Sequence, residues 1–292
     1  MVMGRAIMVA MALVGTAVAA PKDDPLLRPI ASERAASWLA PRAPERGFGN
    51  TYLVGFGGLS VALIDTSAGL ILIDGAMPQG VPAILANVRT LGFDPKDIRY
   101  ILSTEPHFDH AGGIAALARD TGATVVASAR GAEGLRSGRL AADDPQREYD
   151  HSFPALAPGL AKVRAMRDGE VLRLGRTAVT ARATPGHTAS SMSWSWRSCE
   201  GAVCKTLVFA SSLNPVSAEG YRFSSPAGQK VVAAFRRSHA AMRAMPCDIL
   251  ITAHADQDGA TERFLTQPGA CRAYAASSER ALARRLQKEA GQ

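Results

Sequence analysis

An α/β fold is predicted from three features of this 292-residue chain. Short apolar strands fall into two groups, each group carries helix-like segments, and four histidines stand where strands end. Strand and helix patterns mixed within both halves indicate packed sheets covered by helices. Hydrophobic residues make up 47% and charged residues 20% of the chain, enough for a sizeable core. The length allows one large domain or two small ones, and no internal repeat or low-complexity run stands out.

The first segment reads as a leader rather than as part of the fold. Arg5 precedes an apolar, small-residue-rich stretch from Ile7 to Val18; Ala17-Val18-Ala19 and Val18-Ala19-Ala20 end in small residues, and Pro21-Lys22-Asp23-Asp24 turns polar. That is the pattern of a signal peptide over residues 1–20. Its apolar part is shorter than the roughly 20 residues that span a bilayer, so the expectation is export to the periplasm without a stable membrane anchor.

A polar, Pro-rich stretch to about Gly49 follows, with Trp38 as its main apolar anchor. Asn50–Val54, Leu59–Asp65 and Gly69–Asp74 are apolar runs bounded by Gly, Ser and Asp, and read as consecutive antiparallel strands. Val81–Leu91 has Pro82 near its start and Gly92 beyond its end, the start and stop signals of a helix. Ile98–Leu102 is a short buried strand, Gly112–Thr121 a helix closed by Gly122, and Thr124–Ala127 a strand. A loop-rich region then runs to about Gly169. Val171–Leu174, Ala178–Ala183, Met192–Trp196 and Thr206–Ala210 are further strands; Gly228–Met245 is a helix, Asp248–Thr252 a strand, and Thr261 to the end mostly helical.

Cys199, Cys204, Cys247 and Cys271 are an even set, which in an oxidising compartment suggests two disulfides with three possible pairings. Cys199–Cys204 with Cys247–Cys271 is favoured. The first pair flanks Glu200-Gly201-Ala202-Val203, which reads as a hairpin tip, and the second ties a C-terminal helix to the segment before Ile249. A metal role is disfavoured because neither close pair has CxxC spacing. The net charge of +7 comes mostly from scattered arginines without interleaved aromatics. With the leader, this argues against nucleic acid as a partner.

The densest chemistry is Glu105-Pro106-His107-Phe108-Asp109-His110, directly after the Ile98–Leu102 strand. It places two imidazoles and two carboxylates in six positions, and zinc takes N and carboxylate O donors. His187 lies in Thr184-Pro185-Gly186-His187-Thr188, and His254 follows the apolar Ile249–Thr252 run. Strand-end loops are where such groups collect. His151 and His239 lack this context and read as a loop residue and a helix-surface residue.

Glu105-x-His107-x-Asp109-His110, Pro185-Gly186-His187-Thr188 and His254 together make the chain resemble the metallo-β-lactamase fold superfamily. Asn50-Thr51-Tyr52, Ile73-Asp74-Gly75-Ala76, Trp194-Ser195-Trp196-Arg197-Ser198-Cys199 and Pro246-Cys247-Asp248-Ile249-Leu250 narrow the resemblance to the B3 subclass of zinc β-lactamases. The resemblance implies a four-layer α/β/β/α sandwich formed by residues 21–292 as one domain, expected to be a monomer. It implies two zinc ions, one held by Glu105, His107 and His187 and the other by Asp109, His110 and His254. A hydroxide between them attacks the lactam carbonyl of a small-molecule β-lactam substrate, and Asp109 orients it. Tyr221 matches a family tyrosine near the developing oxyanion. Ser212 stands where lactone- and thioester-cleaving relatives carry a carboxylate bridging both metals; in the lactamase subclass this hydroxyl contacts substrate, with Asn214 as a further candidate. Ser211 departs from the subclass, which commonly has Asp there. The competing readings are an exported hydrolase of a lactone, thioester or ester, and a metal-binding pseudo-enzyme.

Glu105 occupies a position that is usually His. A two-His, one-Glu set is an accepted zinc site, with carboxylate oxygens at about 2.0–2.2 Å, and Pro106 holds Glu105 extended. The anion lowers the formal charge of that site by one, so its metal is expected to be a weaker Lewis acid whose bound water has a higher pKa; the harder oxygen donor is expected to hold zinc less tightly than a third imidazole. A Glu-bearing branch of the subclass makes retained lactamase activity the expectation.

Overall fold

The structure is a computed structural model that describes residues 23–255 and 266–291. The leader over residues 1–20 and the expected helical residues 261–265 lie outside the described residues.

Seven strands form the first sheet, in chain order along the sheet: β1 (Glu45–Arg46), β2 (Thr51–Leu53), β3 (Ala62–Asp65), β4 (Leu70–Ile73), β5 (Ile98–Leu102), β6 (Thr124–Ala127) and β7 (Val163–Ala165). β1 to β4 pair antiparallel, as their short connections require, and β4 to β7 pair parallel. The parallel half is built through crossover helices. The short α1 (Ala35–Trp38) precedes the sheet; α2 (Val81–Thr90) joins β4 to β5, the single-turn α3 (Phe108–Ala111) and α4 (Ile114–Thr121) join β5 to β6, and α5 (Ala129–Ser137) lies between β6 and β7.

The loop-rich reading of 128–169 therefore missed α5 and β7. Two glycines within Ala129–Ser137 weaken its helix signal. Tertiary contact decides it: a Cβ on Gly134 would come within 2.7 Å of the Pro106 Cβ. The glycine lets α5 approach the segment that carries Glu105. Ser128 caps the helix by accepting from Gly131 N–H, and Gly138 closes it in the left-handed region.

The second sheet has five strands in the order β12-β11-β10-β9-β8: β8 (Val171–Leu174), β9 (Thr177–Ala183), β10 (Met192–Glu200), β11 (Val203–Ala210) and β12 (Ile249–Thr252). Only β11 and β12 pair parallel, joined by α6 (Pro226–Ala244). The hairpin of β10 and β11 is longer than its apolar part, and Cys199 pairs with Cys204 across its tip. Both favoured disulfides are present, Cys199–Cys204 and Cys247–Cys271. The second anchors α7 (Ala270–Ala290) beside β12.

Alternation along the strands makes four layers. In β4, Leu70 and Leu72 face α2 and α4 with Ile84, Val88, Ile114 and Leu117, whereas Ile71 and Ile73 face the other sheet. In β11, Leu207 and Phe209 join that same inter-sheet core, whereas Val208 and Ala210 pack on α6 and α7 through Met242 and Tyr274. Strands covered on both faces must be apolar on both, which is why they read as runs. Trp194 and Trp196 fill the inter-sheet core. Trp196 Nε1 donates to Thr51 Oγ1 at 3.0 Å and Ser198 Oγ donates to Asn50 Oδ1 at 2.5 Å, so the Asn50-Thr51 and Trp196-Arg197-Ser198 motifs bond the two sheets together.

One residue departs from expectation here. His239 is not on the surface of α6 but buried, with Nε2 2.7 Å from Ser278 Oγ of α7. The α6–α7 packing covers it. His151 is a loop residue as expected, its ring edge-on to Phe108.

Candidate metal centre

β5, β9, β11 and β12 deliver their chain ends to one edge of the sandwich. β5 leads into Glu105, His107 and α3, which carries Asp109 and His110 in its single turn. β9 leads into Pro185-Gly186-His187, β11 into Ser211-Ser212-Leu213-Asn214, and β12 into His254. Gly186 adopts φ 150°, and a Cβ there would lie 2.5 Å from the Phe235 ring, so only glycine turns His187 back toward β5 at this spacing.

The six residues form two groups. Ligand atoms of Glu105, His107 and His187 lie within 4.8 Å of one another, as do those of Asp109, His110 and His254, and all six residues are buried. Glu105 Oε1 is 3.7 Å from His187 Nε2 and 3.3 Å from His110 Nε2, so the groups adjoin. In the second group, His254 Nε2 lies 3.1 Å from Asp109 Oδ2 and 3.0 Å from His110 Nε2.

Outer partners set which imidazole nitrogen faces inward. His187 Nδ1–H donates to the Asn214 carbonyl at 2.8 Å, leaving the Nε2 lone pair toward Glu105. His107 Nε2–H donates to Asp144 Oδ2 at 3.1 Å, leaving the Nδ1 lone pair inward. The Gln146 amide lies 3.4 Å from His107 Nδ1 and 3.1 Å from His187 Nε2 and can donate to both lone pairs. A ligating histidine typically gives its other N–H to such an acceptor. Asp74 holds the remaining flank: it accepts from Thr104 N–H and Oγ1–H at 2.8 and 2.7 Å, and its Oδ2 is 3.5 Å from His110 Nδ1.

The charges are strongly coupled. Burial raises the Glu105 carboxyl, but His187, His110, His107 and a Ser212 hydroxyl hydrogen bond outweigh it and hold the group below the ordinary carboxylate range. Burial also opposes ionisation of Asp109, yet His110 and His254 hold it far below that range. His110 is pulled down by burial but pushed up to about 10 by Asp109, Glu105 and Asp74. Burial, reinforced by the nearby His107, lowers His187. Anionic oxygens beside inward-facing nitrogens in a dry pocket are what a divalent cation neutralises.

The donor set fits a metal ion on one further observation. Glu105 Oε1 is fully buried and has no hydrogen-bond partner. A buried carboxylate oxygen without a partner is costly, and this one faces the imidazoles of both groups. Each group offers two imidazole nitrogens and one carboxylate oxygen, the three-donor set that catalytic metal sites combine with an open fourth position.

The structure brings all six expected ligands together. Ser212 is 0% exposed, and its N–H and hydroxyl face Glu105 rather than open space. Asn214 is half-buried and contributes its carbonyl to His187. Tyr221 is half-buried with its ring edge-on to Phe223, and its hydroxyl hydrogen-bonds none of the six. Burial, with Asp143 and Asp144 adding, pushes its phenol up. Ser211 sits in a hydroxyl cluster, 2.8 Å from Thr184 Oγ1. Asp144, Gln146 and Ser191 were not found by reading the sequence, because short polar residues in loops carry no periodic signal. The need of His107 for an acceptor predicts such a partner but not its position.

The sequence profile of the metallo-beta-lactamase superfamily matches residues 45–204. Among solved structures, the chain is similar to a B3 metallo-beta-lactamase characterised as the first with an active-site glutamic acid. The identity is 64%, over 91% of this chain and 98% of that chain, with a TM-score of 0.88. It is similar to a subclass B3 enzyme isolated from a soil metagenome library at 42% identity, over 87% of this chain and 99% of that one, with a TM-score of 0.81. A subclass B3 enzyme of Bradyrhizobium japonicum aligns at 33% identity, over 88% of this chain and 98% of that one, with a TM-score of 0.77. With this fold and these two donor groups, the chain belongs to the metallo-beta-lactamase superfamily, in subclass B3.

Proposed function

We propose that the chain is a zinc-dependent β-lactamase that hydrolyses the amide of small-molecule β-lactams and so confers resistance to them. The observation that carries this reading is the first donor group: a buried Glu105 with one oxygen aimed at two inward-facing imidazoles, in a chain 64% identical to a B3 enzyme with an active-site glutamic acid. Glu105, His107 and His187 would hold one zinc ion, and Asp109, His110 and His254 the other. When bound, zinc lowers the pKa of water and polarises the carbonyl under attack.

The chain's own residues supply the rest. Asp144 and the Asn214 carbonyl fix the tautomers of His107 and His187, so both present a lone pair. Asp109 stays ionised through the neutral range and can orient a water molecule by accepting its hydrogen bond. Asn214 and Tyr221 are the side chains assigned to substrate, Tyr221 beside the developing oxyanion. The Ser212 hydroxyl, expected to meet substrate, is assigned to Glu105, with substrate contact open to it only if the Ser211–Asn214 turn shifts.

Residues 1–20 are read as a leader and 21–292 as one domain acting as a monomer in the periplasm. Two disulfides support an oxidising compartment. Among the described residues, no helix is long and apolar enough to cross a membrane.

Turnover of a penicillin, a cephalosporin and a carbapenem, with and without added zinc and with a chelator control, tests the reading. Chelator-sensitive lactam hydrolysis is expected. Cleavage of lactones or thioesters without lactam turnover would overturn it, and so would inertness toward all of them in the zinc-loaded protein.

A further inference from the structure

We propose that the Ser191 hydroxyl and the Ser212 N–H are positioning groups that fix Glu105 as a one-oxygen metal ligand. They hold Oε2 within the protein and leave Oε1 for the metal. The inference rests on the reading of Glu105 as a ligand.

An imidazole offers a metal one inward nitrogen, whereas a carboxylate offers two equivalent oxygens and binds through one or both. Something must break that symmetry. Here the two oxygens have different surroundings. Oε2 accepts from Ser191 Oγ at 3.2 Å and from Ser212 N–H at 3.3 Å. Oε1 has no hydrogen-bond partner and lies among the imidazoles.

The hydrogen-bond directions leave little freedom. A carboxylate only accepts, so Ser191 gives its single proton to Oε2. Thr188 N–H then donates to Ser191 Oγ at 3.3 Å, and Thr188 Oγ1, which accepts from Ser190 N–H at 3.1 Å, has Ser191 Oγ at 2.9 Å and Ser190 Oγ at 3.0 Å as acceptors for its own proton. Backbone N–H groups are fixed donors, so this chain of bonds points toward Glu105. Its frame is rigid as well: Ser128 Oγ, the cap of α5, donates to the Ser190 carbonyl at 2.8 Å. Thr188 adjoins His187, so one short loop delivers both a ligand and the group that orients the other ligand. Glu105, Thr188, Ser191 and Ser212 are all buried, so no bulk water competes for Oε2.

The test measures zinc stoichiometry and the affinity of each ion by competition with a chromophoric chelator, on the full chain and on Ser191→Ala and Glu105→Ala. Each variant is also loaded with Co(II) for its visible spectrum. Ser191→Ala is expected to weaken one ion about 10–100-fold, the usual effect of losing an outer-shell partner, while the ion of the Asp109 group keeps its affinity. The Co(II) bands of the weakened site should lose intensity as the second carboxylate oxygen joins the shell. Glu105→Ala should bind a single ion tightly. If Glu105→Ala holds two ions as the natural chain does, the ligand reading falls. If it loses one but Ser191→Ala matches the natural chain in affinity and spectrum, the positioning proposal is overturned and the ligand reading stands. Should Ser191→Ala lose both ions through misfolding, Ser191→Cys, of similar shape and weaker donor strength, must show the selective loss; natural affinity there overturns the proposal.

Discussion

Replacing Asp144 by Asn should weaken the metal affinity of the group formed by Glu105, His107 and His187 without touching any of its donors. His107 Nε2 and Asp144 Oδ2 are 3.1 Å apart with both side chains buried, and Oδ1 of the same carboxylate holds Gln146 N–H at 2.8 Å. A hydrogen bond to a charged group contributes about 1.5–3 kcal/mol. At about 1.4 kcal/mol per tenfold, that is roughly 10- to 100-fold in affinity. Asn keeps the bond from Gln146 through Oδ1 but turns an N–H toward His107 Nε2. The imidazole can accept it only by moving its proton to Nδ1, the nitrogen that faces the gap. That tautomer has no inward lone pair, so the effect belongs at the upper end of the range. Chelator competition at neutral pH measures the affinity, nitrogen NMR of His107 reports the tautomer, and the Asp109 group serves as an internal control. Natural affinity for both ions, with His107 still protonated at Nε2, would refute the reasoning.

Glu105→His should retain zinc through dialysis better than the natural chain, because an imidazole nitrogen suits zinc better than a harder carboxylate oxygen; equal retention of both ions counts against this. In chain-entropy terms, opening Cys247–Cys271, separated by 24 residues, should cost about 3.5 kcal/mol, and opening Cys199–Cys204, separated by 5, about 2 kcal/mol. Urea unfolding of the paired Cys→Ser variants checks the order, and a larger loss from the hairpin bridge would contradict it. Glu289 accepts from Phe223 N–H, Ser224 N–H and Arg285, and these bonds overcome its burial to hold its carboxyl below the ordinary 4.5. A depressed carboxyl stabilises the fold above pH 4.5 and loses that contribution as the pH falls through its folded value. Glu289→Gln should therefore cost about 1.5–3 kcal/mol at pH 7 and progressively less in acid; a pH-independent difference would contradict it.

Much of the frame was legible because burial leaves a simple imprint on residue type. β4, Leu70-Ile71-Leu72-Ile73, is covered on both faces and must be apolar throughout, so it stands out against its Gly and Asp boundaries. α6 is expected over Gly228–Met245 but starts two residues earlier, where Ser225 caps it and Pro226 stands in its first turn. α5 was hidden because its glycines serve close packing on Pro106, a contact between residues 28 positions apart. His239 was misplaced for a similar reason: its burial comes from α7, which its own helical pattern does not encode.

The sequence by itself determined the candidate donors. Glu105, His107, Asp109, His110, His187 and His254 could be picked out because a metal site requires particular atoms, here gathered just beyond strand ends, and that need is written in residue type. Tertiary structure alone decided how those donors are held. It selected Asp144 and the Asn214 carbonyl as the acceptors that orient His107 and His187, and it turned Ser212 inward onto Glu105. Hydrogen bonding depends on distances of a few tenths of an ångström between groups 27 to 107 residues apart, and any of many polar loop residues could have met them. The candidate donors are a matter of residue chemistry; their orientation is a matter of packing.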